Sequence, residues 1–342
     1  MMKPLQSLVG ILFIRMLFIS MLLIQPLQAE QVYTLKFATA NPQGSHYVAH
    51  LMKFKQLVEH YSNGRIRVEA IIDGRYGSEH DNVMGTAEGD IQMSTVAVNN
   101  LTPFAPNVGF LTLPYLFDDA GQARRLFNHP LMDEVNGQMV ERANVRALGW
   151  LIGGYRVLTN ARVAVRSPAD LADLKIRTPM NPIMVETFRA WGVEPLPIAW
   201  TETYNALRTG IADGQENPHL VYSNMPNADG GIILVQKYIT DIRYLLWTGP
   251  HLINEPFYQG LPADLKEVLH KAADEASRYQ WQWVEERNRQ QLDLLLGNGM
   301  ELVQPANEER EWRQRAKAVW PQFYSEIGGK PFIDRVLAII RQ

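Results

Sequence analysis

Between Leu174 and Pro218 the chain reads LKIRTPMNPIMVETFRAWGVEPLPIAWTETYNALRTGIADGQENP, alternating short apolar runs with helical patterns. Lys175 to Thr178 is a brief strand stopped by Pro179, which donates no backbone hydrogen bond and holds the preceding residue extended. An amphipathic helix follows, with Ile183, Val185, Phe188 and Trp191 as its apolar residues and Gly192 closing it. Val193 to Ile198 is extended again. Thr201 caps a further helix that stops at Gly210, and Ile211 to Pro218 is a strand running into a polar turn. Strand, helix, strand, helix, strand is the order of an α/β unit with a parallel sheet.

In such sheets ligands sit at the carboxyl ends of strands, where Arg177, Trp200 and Asn217 all fall. A fixed cation, a flat aromatic and an amide suit a planar, anionic small molecule. The arginine fork matches a carboxylate through two parallel hydrogen bonds. Each residue also has a plainer role: Arg177 in a structural ion pair, Trp200 in the core, Asn217 in a turn. Glu216 reads as a structural acceptor or a bridging group. His219 has no nucleophile beside it, so no catalytic set is assigned.

The same alternation occurs earlier. Val32 to Ala40 is a strand, a turn at Asn41-Pro42-Gln43-Gly44 follows, and Ser45 begins a helix to about Tyr61. The first turn of that helix presents N–H groups suited to an anion, and Ser45 is equally a simple cap. Arg65 to Ile72 is a second strand, Ser78 caps a helix through Glu88, and Asp90 to Val96 is a third strand. Glu79, His80 and Asp81 are adjacent on a helix and do not converge as metal ligands, so no metal or cofactor is expected. Ala147 to Asn160 is a long extended run broken by Gly153-Gly154, a crossing between domains. Ile232 to Tyr238 and Asp241 to Trp247 are two returning strands. Pro262 to about Leu296 is one very long helix, and Glu308 to Tyr324 and Phe332 to Ile340 close the chain.

A length of 342 residues fits two domains. A net charge of −3 gives no basis for nucleic-acid binding, and the absence of cysteine excludes disulfides, thiolate metal sites and a thiol nucleophile. Residues 1–29 carry Lys3, two apolar runs and a small-residue region before Glu30, which reads as an export signal cleaved near Ala29. A retained membrane anchor is the alternative, and Arg15 in the middle argues against a stable span.

The motifs KIRTP, an aromatic before T-E-x-Y-x-A-L, and DGQENP resemble the DctP-type periplasmic solute-binding proteins of TRAP transporters. LKFATANPQGS at Leu35–Ser45, NGRIRVE, LPYLF, GYR at Gly154–Arg156 and SPADLADLKIR extend the resemblance over nearly the whole chain after the N-terminal segment. It implies a two-lobe α/β fold, each lobe a mixed or parallel sheet flanked by helices, with the long helix spanning both. Lobe I would comprise residues 30–153 plus about 243–281, and lobe II residues 154–242 plus about 282–342. The resemblance makes Arg156 a second cation at or near the ligand and places ligand-facing positions around Tyr76-Gly77, in the segment Thr95 to Asn100 with Asn99 in it, and at Met180. Ala97 stands where some sialic-acid-binding members carry a carboxylate, which lowers the expectation for that ligand. It further implies a periplasmic protein, monomeric or alternatively homodimeric, that closes on a small organic acid and delivers it to TRAP membrane subunits.

A binding component of another importer or sensor, and an exported enzyme on organic acids, are the competing classes. No G-x-S-x-G, H-E-x-x-H or P-loop supports the enzyme. Two arginines leave dicarboxylates open, and Trp200 leaves cyclic acids and zwitterions open.

Overall fold

The computed structural model describes residues 31–222 and 231–342, and the expected export signal lies outside them. Thr34 to Gln342 folds as one unit around a nine-stranded sheet. The strands are β1 Tyr33–Ala38, β2 Ile66–Ile71, β3 Met93–Thr95, β4 Val145–Asn160, β5 Ile176–Thr178, β6 Leu196–Pro197, β7 Gly214–Pro218, β8 Tyr238–Asn254 and β9 Glu301–Val303. Their order is β2-β1-β3-β8-β4-β7-β5-β6, with β9 beside β8. Parallel pairs lie towards the two ends, β1 with β3 and β5 with both β6 and β7. In the middle, β4 runs antiparallel to β7 and β8. The sheet is therefore mixed, with two βαβ-built halves held together by two long strands.

The longer helices are α1 His46–Tyr61, α2 Glu79–Glu88, α3 Ala120–Phe127, α4 Leu131–Ala143, α5 Pro182–Ala190, α6 Trp200–Arg208, α7 Ala263–Gly297, α8 Arg310–Lys317 and α9 Gly329–Ile340. Local chemistry explains their starts. Ser78 and Asp81 form a capping box on α2. Asn181 caps α5 and Pro182 occupies its first turn. One expectation fails here: Thr201 is not a cap. Ala199 precedes α6 without a side-chain cap, Trp200 is already helical, and Glu202 in the first turn complements the exposed N–H groups.

The returning strands also differ from expectation. Ile232–Leu234 is a turn of 3-10 helix, and β8 is one strand of 17 residues. Polar Asp241 and Arg243 and the Gly249-Pro250 pair hide that continuity in the sequence. The pairing absorbs them through irregularities: Leu158 faces Thr240 while Arg156 faces Leu245. Both β4 and β8 are buried almost throughout, so neither shows alternation. Helix α7 is fastened across β4, where the Gln280 amide donates to the Ile152 carbonyl at 3.0 Å and Trp281 Nε1 donates to the Trp150 carbonyl at 3.0 Å. Gly153 is required beside this point, because a Cβ there would lie 2.6 Å from the Trp247 ring.

Three histidines are buried where α1 meets β8. The His50 and His251 rings lie 4.5 Å apart and pack on Phe37 and Phe54, while His46 packs edge-on to Trp247 at 4.6 Å. Burial lowers His46 and His50 to about 3, and lowers His251 well below its ordinary value. The unfolded chain therefore binds protons that the folded one refuses. Stability is full above about pH 6.5 and is lost as pH falls towards 3, by up to about 1.4 kcal/mol per pH unit for each ring. Chemical denaturation at pH 7.5 and pH 5 should show a loss of several kcal/mol, and His251→Phe should flatten the slope by roughly a quarter, because burial also lowers His219 to about 4. Equal stability at the two pH values would contradict this reading.

Candidate functional site

Two arginines approach one cleft from the middle of the sheet and from the β5 side, and their partners differ. Antiparallel pairing sets Arg156 of β4 opposite Pro218 of β7 and Leu158 opposite Glu216. Arg156 is 2% exposed and Glu216 is 0% exposed. The Arg156 guanidinium grips the Glu216 carboxylate through Nε and through Nη2 at 2.8 Å, and Nη2 also donates to the Glu216 carbonyl at 3.0 Å. Tyr244 donates its hydroxyl to the same carboxylate at 2.8 Å. Burial works against the Arg156 charge, but the charge and hydrogen bonds of Glu216 outweigh it and raise its pKa. The two side chains form a closed, neutral pair.

Arg177 stands otherwise. Strand β5 ends at Thr178, and Arg177 within it is 2% exposed. Its Nε and Nη2 donate to the Ile198 carbonyl at 2.8 and 2.5 Å, which fixes the fork without neutralising it. Among the described residues no carboxylate pairs with it. Burial brings its pKa down to about 10, so it remains a cation at neutral pH. Trp200 lies at the start of α6 with its ring centroid 6.0 Å from the guanidinium carbon, and its buried indole N–H meets no acceptor among the described residues. Asn217 is held by the Gln215 side chain at 2.8 Å and by Tyr222 Oη, which accepts from its backbone N–H at 3.1 Å.

The opposite wall comes from the segments following β1 and β3 and from the N-termini of α1 and α2. Asn41, Tyr47, Glu79, Ala97, Asn99 and Asn100 complete a narrow cleft with Arg156, Arg177, Pro179, Trp200, Asn217, Val221 and Trp247. A second chamber shares Glu79, Asn100, Arg177, Pro179 and Trp200 with it and adds His80, Met180 and Thr201. Glu79 is 5% exposed. Its Oε2 accepts from the Ala97 N–H at 2.8 Å and from Asn100 Nδ2 at 2.5 Å, and its Oε1 accepts from Asn41 Nδ2 at 3.3 Å. Burial, then the neighbouring Glu79 charge and hydrogen bond, hold the Tyr47 phenol neutral. The cleft thus offers a cation, a carboxylate acceptor, several amides and two indoles. That donor set is suited to holding a polar acid.

Arg177, Arg156, Trp200, Asn217 and Asn99 come together here, and Met180, 52% exposed, edges the second chamber. Ser45 and Tyr76 do not line either chamber. Ser45 caps α1, accepting from the Val48 N–H at 3.3 Å, and borders a separate groove with Met52, Tyr279 and Trp283. Tyr76 covers Gly85 of α2, whose missing side chain makes room for the phenol. Asn100 closes the ligand-facing segment that the resemblance implies, whereas Asn41, Tyr47, Glu79 and Trp247 are not marked as ligand contacts in the sequence. The carboxyl-end rule that picks out Arg177 would have reached Asn41 after β1 and Asn100 after β3. Among the described residues no three histidine or acidic side chains gather as metal ligands, and no helix is long and apolar enough to cross a membrane.

Residues 37–327 match the DctP family, described as bacterial extracellular solute-binding protein, family 7. The 2,3-diketo-L-gulonate-binding periplasmic protein of Escherichia coli is 27% identical over 80% of this chain and 81% of its own. A TRAP periplasmic solute-binding protein of Rhodobacter sphaeroides, solved in an apo open form, is 35% identical with a TM-score of 0.76, covering 90% of this chain and 99% of that one. A Roseobacter denitrificans TRAP solute-binding protein with bound L-galactonate is 25% identical with a TM-score of 0.82, covering 90% and 99%.

Glu216→Gln would leave the Arg156 cation buried without its counter-charge. Denaturant unfolding should show a loss of about 3–5 kcal/mol. A loss below about 1 kcal/mol would show that the pair is not structural.

Proposed function

The chain belongs to the DctP family of bacterial extracellular solute-binding proteins, and we propose that it captures a small sugar acid between two lobes and delivers it to a TRAP permease. The observation that carries this reading is Arg177, a buried cation with no carboxylate partner among the described residues, facing a cleft lined from both halves of the sheet. Its remaining donors take the ligand carboxylate. Trp200 bounds the ligand and donates its indole N–H, and Asn217 and Asn99 hydrogen-bond to its polar atoms. Arg156 borders the ligand while staying on Glu216. The bound acids named for the similar proteins, L-galactonate and 2,3-diketo-L-gulonate, are both carboxylates rich in oxygen.

Closure is a population shift. Contacts to both walls exist together only in the closed form, so the acid favours that form by its differential affinity. The lobes divide as residues 30–153 with about 243–281, and 154–242 with about 282–342, so that β4 and β8 carry the hinge. The loaded monomer presents its closed surface to the permease. Residues 1–29 direct export to the periplasm and are removed near Ala29. We assign no catalytic step to these side chains, which hold and orient the acid.

Thermal melts of residues 30–342 against aldonates, uronates, keto acids and dicarboxylates should find an acid that raises the midpoint by several degrees. A ligand at about 100 times its dissociation constant contributes about 2.7 kcal/mol. Arg177→Ala should weaken that acid by at least about 100-fold, and full retention would remove Arg177 as the anchor. Intact mass of the exported chain should correspond to a start near Glu30, and a chain retaining residues 1–29 would contradict cleavage.

A further inference from the structure

We infer that Glu79 determines specificity in this cleft: it is a fixed, buried negative charge that rejects a second carboxylate on the ligand. The site then takes monocarboxylates whose far end carries hydroxyl groups and refuses diacids of the same length. This rests on Arg177 as the carboxylate anchor.

Three arginine or carboxylate side chains line the chambers, Arg156, Arg177 and Glu79, and Glu216 stands behind Arg156. Arg156 and Glu216 cancel each other through several hydrogen bonds. What faces the ligand is one cation, Arg177, and one anion, Glu79. Among the described residues no lysine, arginine or histidine forms an ion pair with Glu79. Its hydrogen bonds come from the N–H donors of Ala97, Asn100 and Asn41 and from the neighbouring Tyr47 phenol, all of them neutral, and it occupies the first position of α2, where the helix dipole favours a negative group. Glu79 therefore meets the ligand as an acceptor and a charge, held in place by the protein.

A ligand carboxylate on Arg177 leaves the rest of the molecule to lie towards Glu79 in either chamber, since both residues line both. Hydroxyl groups there can donate to the carboxylate. A second carboxylate cannot donate, and it brings a like charge into a desolvated space without an unpaired cation to receive it. The titratable groups that also face this space are Tyr47, kept neutral by burial and by Glu79 itself, and His80, which lies against Phe104 at 4.8 Å in the second chamber.

The test is isothermal titration at pH 8 of the mature protein with matched pairs, galactonate with galactarate and gluconate with glucarate. Each pair differs only in whether the far carbon is a hydroxymethyl or a carboxylate. On the wild type the aldonate of the better pair should bind at least about 30-fold more tightly than its aldarate, and Glu79→Gln should reduce that ratio to within about 3-fold. Equal binding of the two on the wild type, or an unchanged ratio in Glu79→Gln, overturns the role of Glu79 while leaving Arg177 as anchor. If Glu79→Gln does not fold, the half-amide of the aldarate decides on the wild type. Recovery of aldonate-like affinity by this neutral shape supports the charge filter, and continued exclusion overturns it in favour of size. Failure of every acid on the panel, or a bound acid that loses no affinity in Arg177→Ala, removes the anchor and this inference together.

Discussion

The buried pair between Arg156 and Glu216 sets the chemistry of the cleft. Two arginines in one small site would ordinarily imply two anionic groups on the ligand. Here one of them is closed on a protein carboxylate with Tyr244 as a third partner. Taking both charges out of water is expensive, and only close geometry with several hydrogen bonds offsets that. The result is a rigid neutral unit at the crossing of β4 and β7. Arg177, whose fork is held by a carbonyl instead, keeps its charge for something else.

How much of this is legible in the sequence depends on whether the determinant is local. The α/β unit from Leu174 to Pro218 follows from the alternation of apolar periods with proline and glycine stops, and the parallel pairing of β5 with β6 and β7 agrees with it. Arg177, Trp200 and Asn217 follow from the rule that ligands sit at strand ends. The partnership of Arg156 with Glu216 is not local: it depends on the register between β4 and β7, 60 residues apart. The same limit hides Glu79, which looks in sequence like one of three adjacent polar residues on a helix. Only the fold turns it towards Ala97 and Asn100. Ser45 shows the reverse case, because a capping serine carries the same local signature whether or not a ligand lies beyond it.

The long strands β4 and β8 connect the two halves of the sheet, and their irregularities are concentrated near Gly154, Leu158 and the Asp241–Tyr244 stretch. Gly154 has φ of 95°, a conformation that glycine adopts without penalty. Bulges bend and twist a strand locally, so these positions are where the proposed closure would be accommodated. Helix α7, hydrogen-bonded to β4 through Gln280 and Trp281, ties the same region from outside. Sheet, helix and cleft thus meet at one level of the molecule.

The most direct measurement is a crystal structure of the mature protein with the tightest-binding acid from the ligand panel. The account predicts a carboxylate in bidentate contact with Arg177, with Arg156 still closed on Glu216 and Glu79 accepting a ligand hydroxyl. A carboxylate seated on Arg156, with Glu216 displaced and Arg177 still bound only to the Ile198 carbonyl, would contradict it.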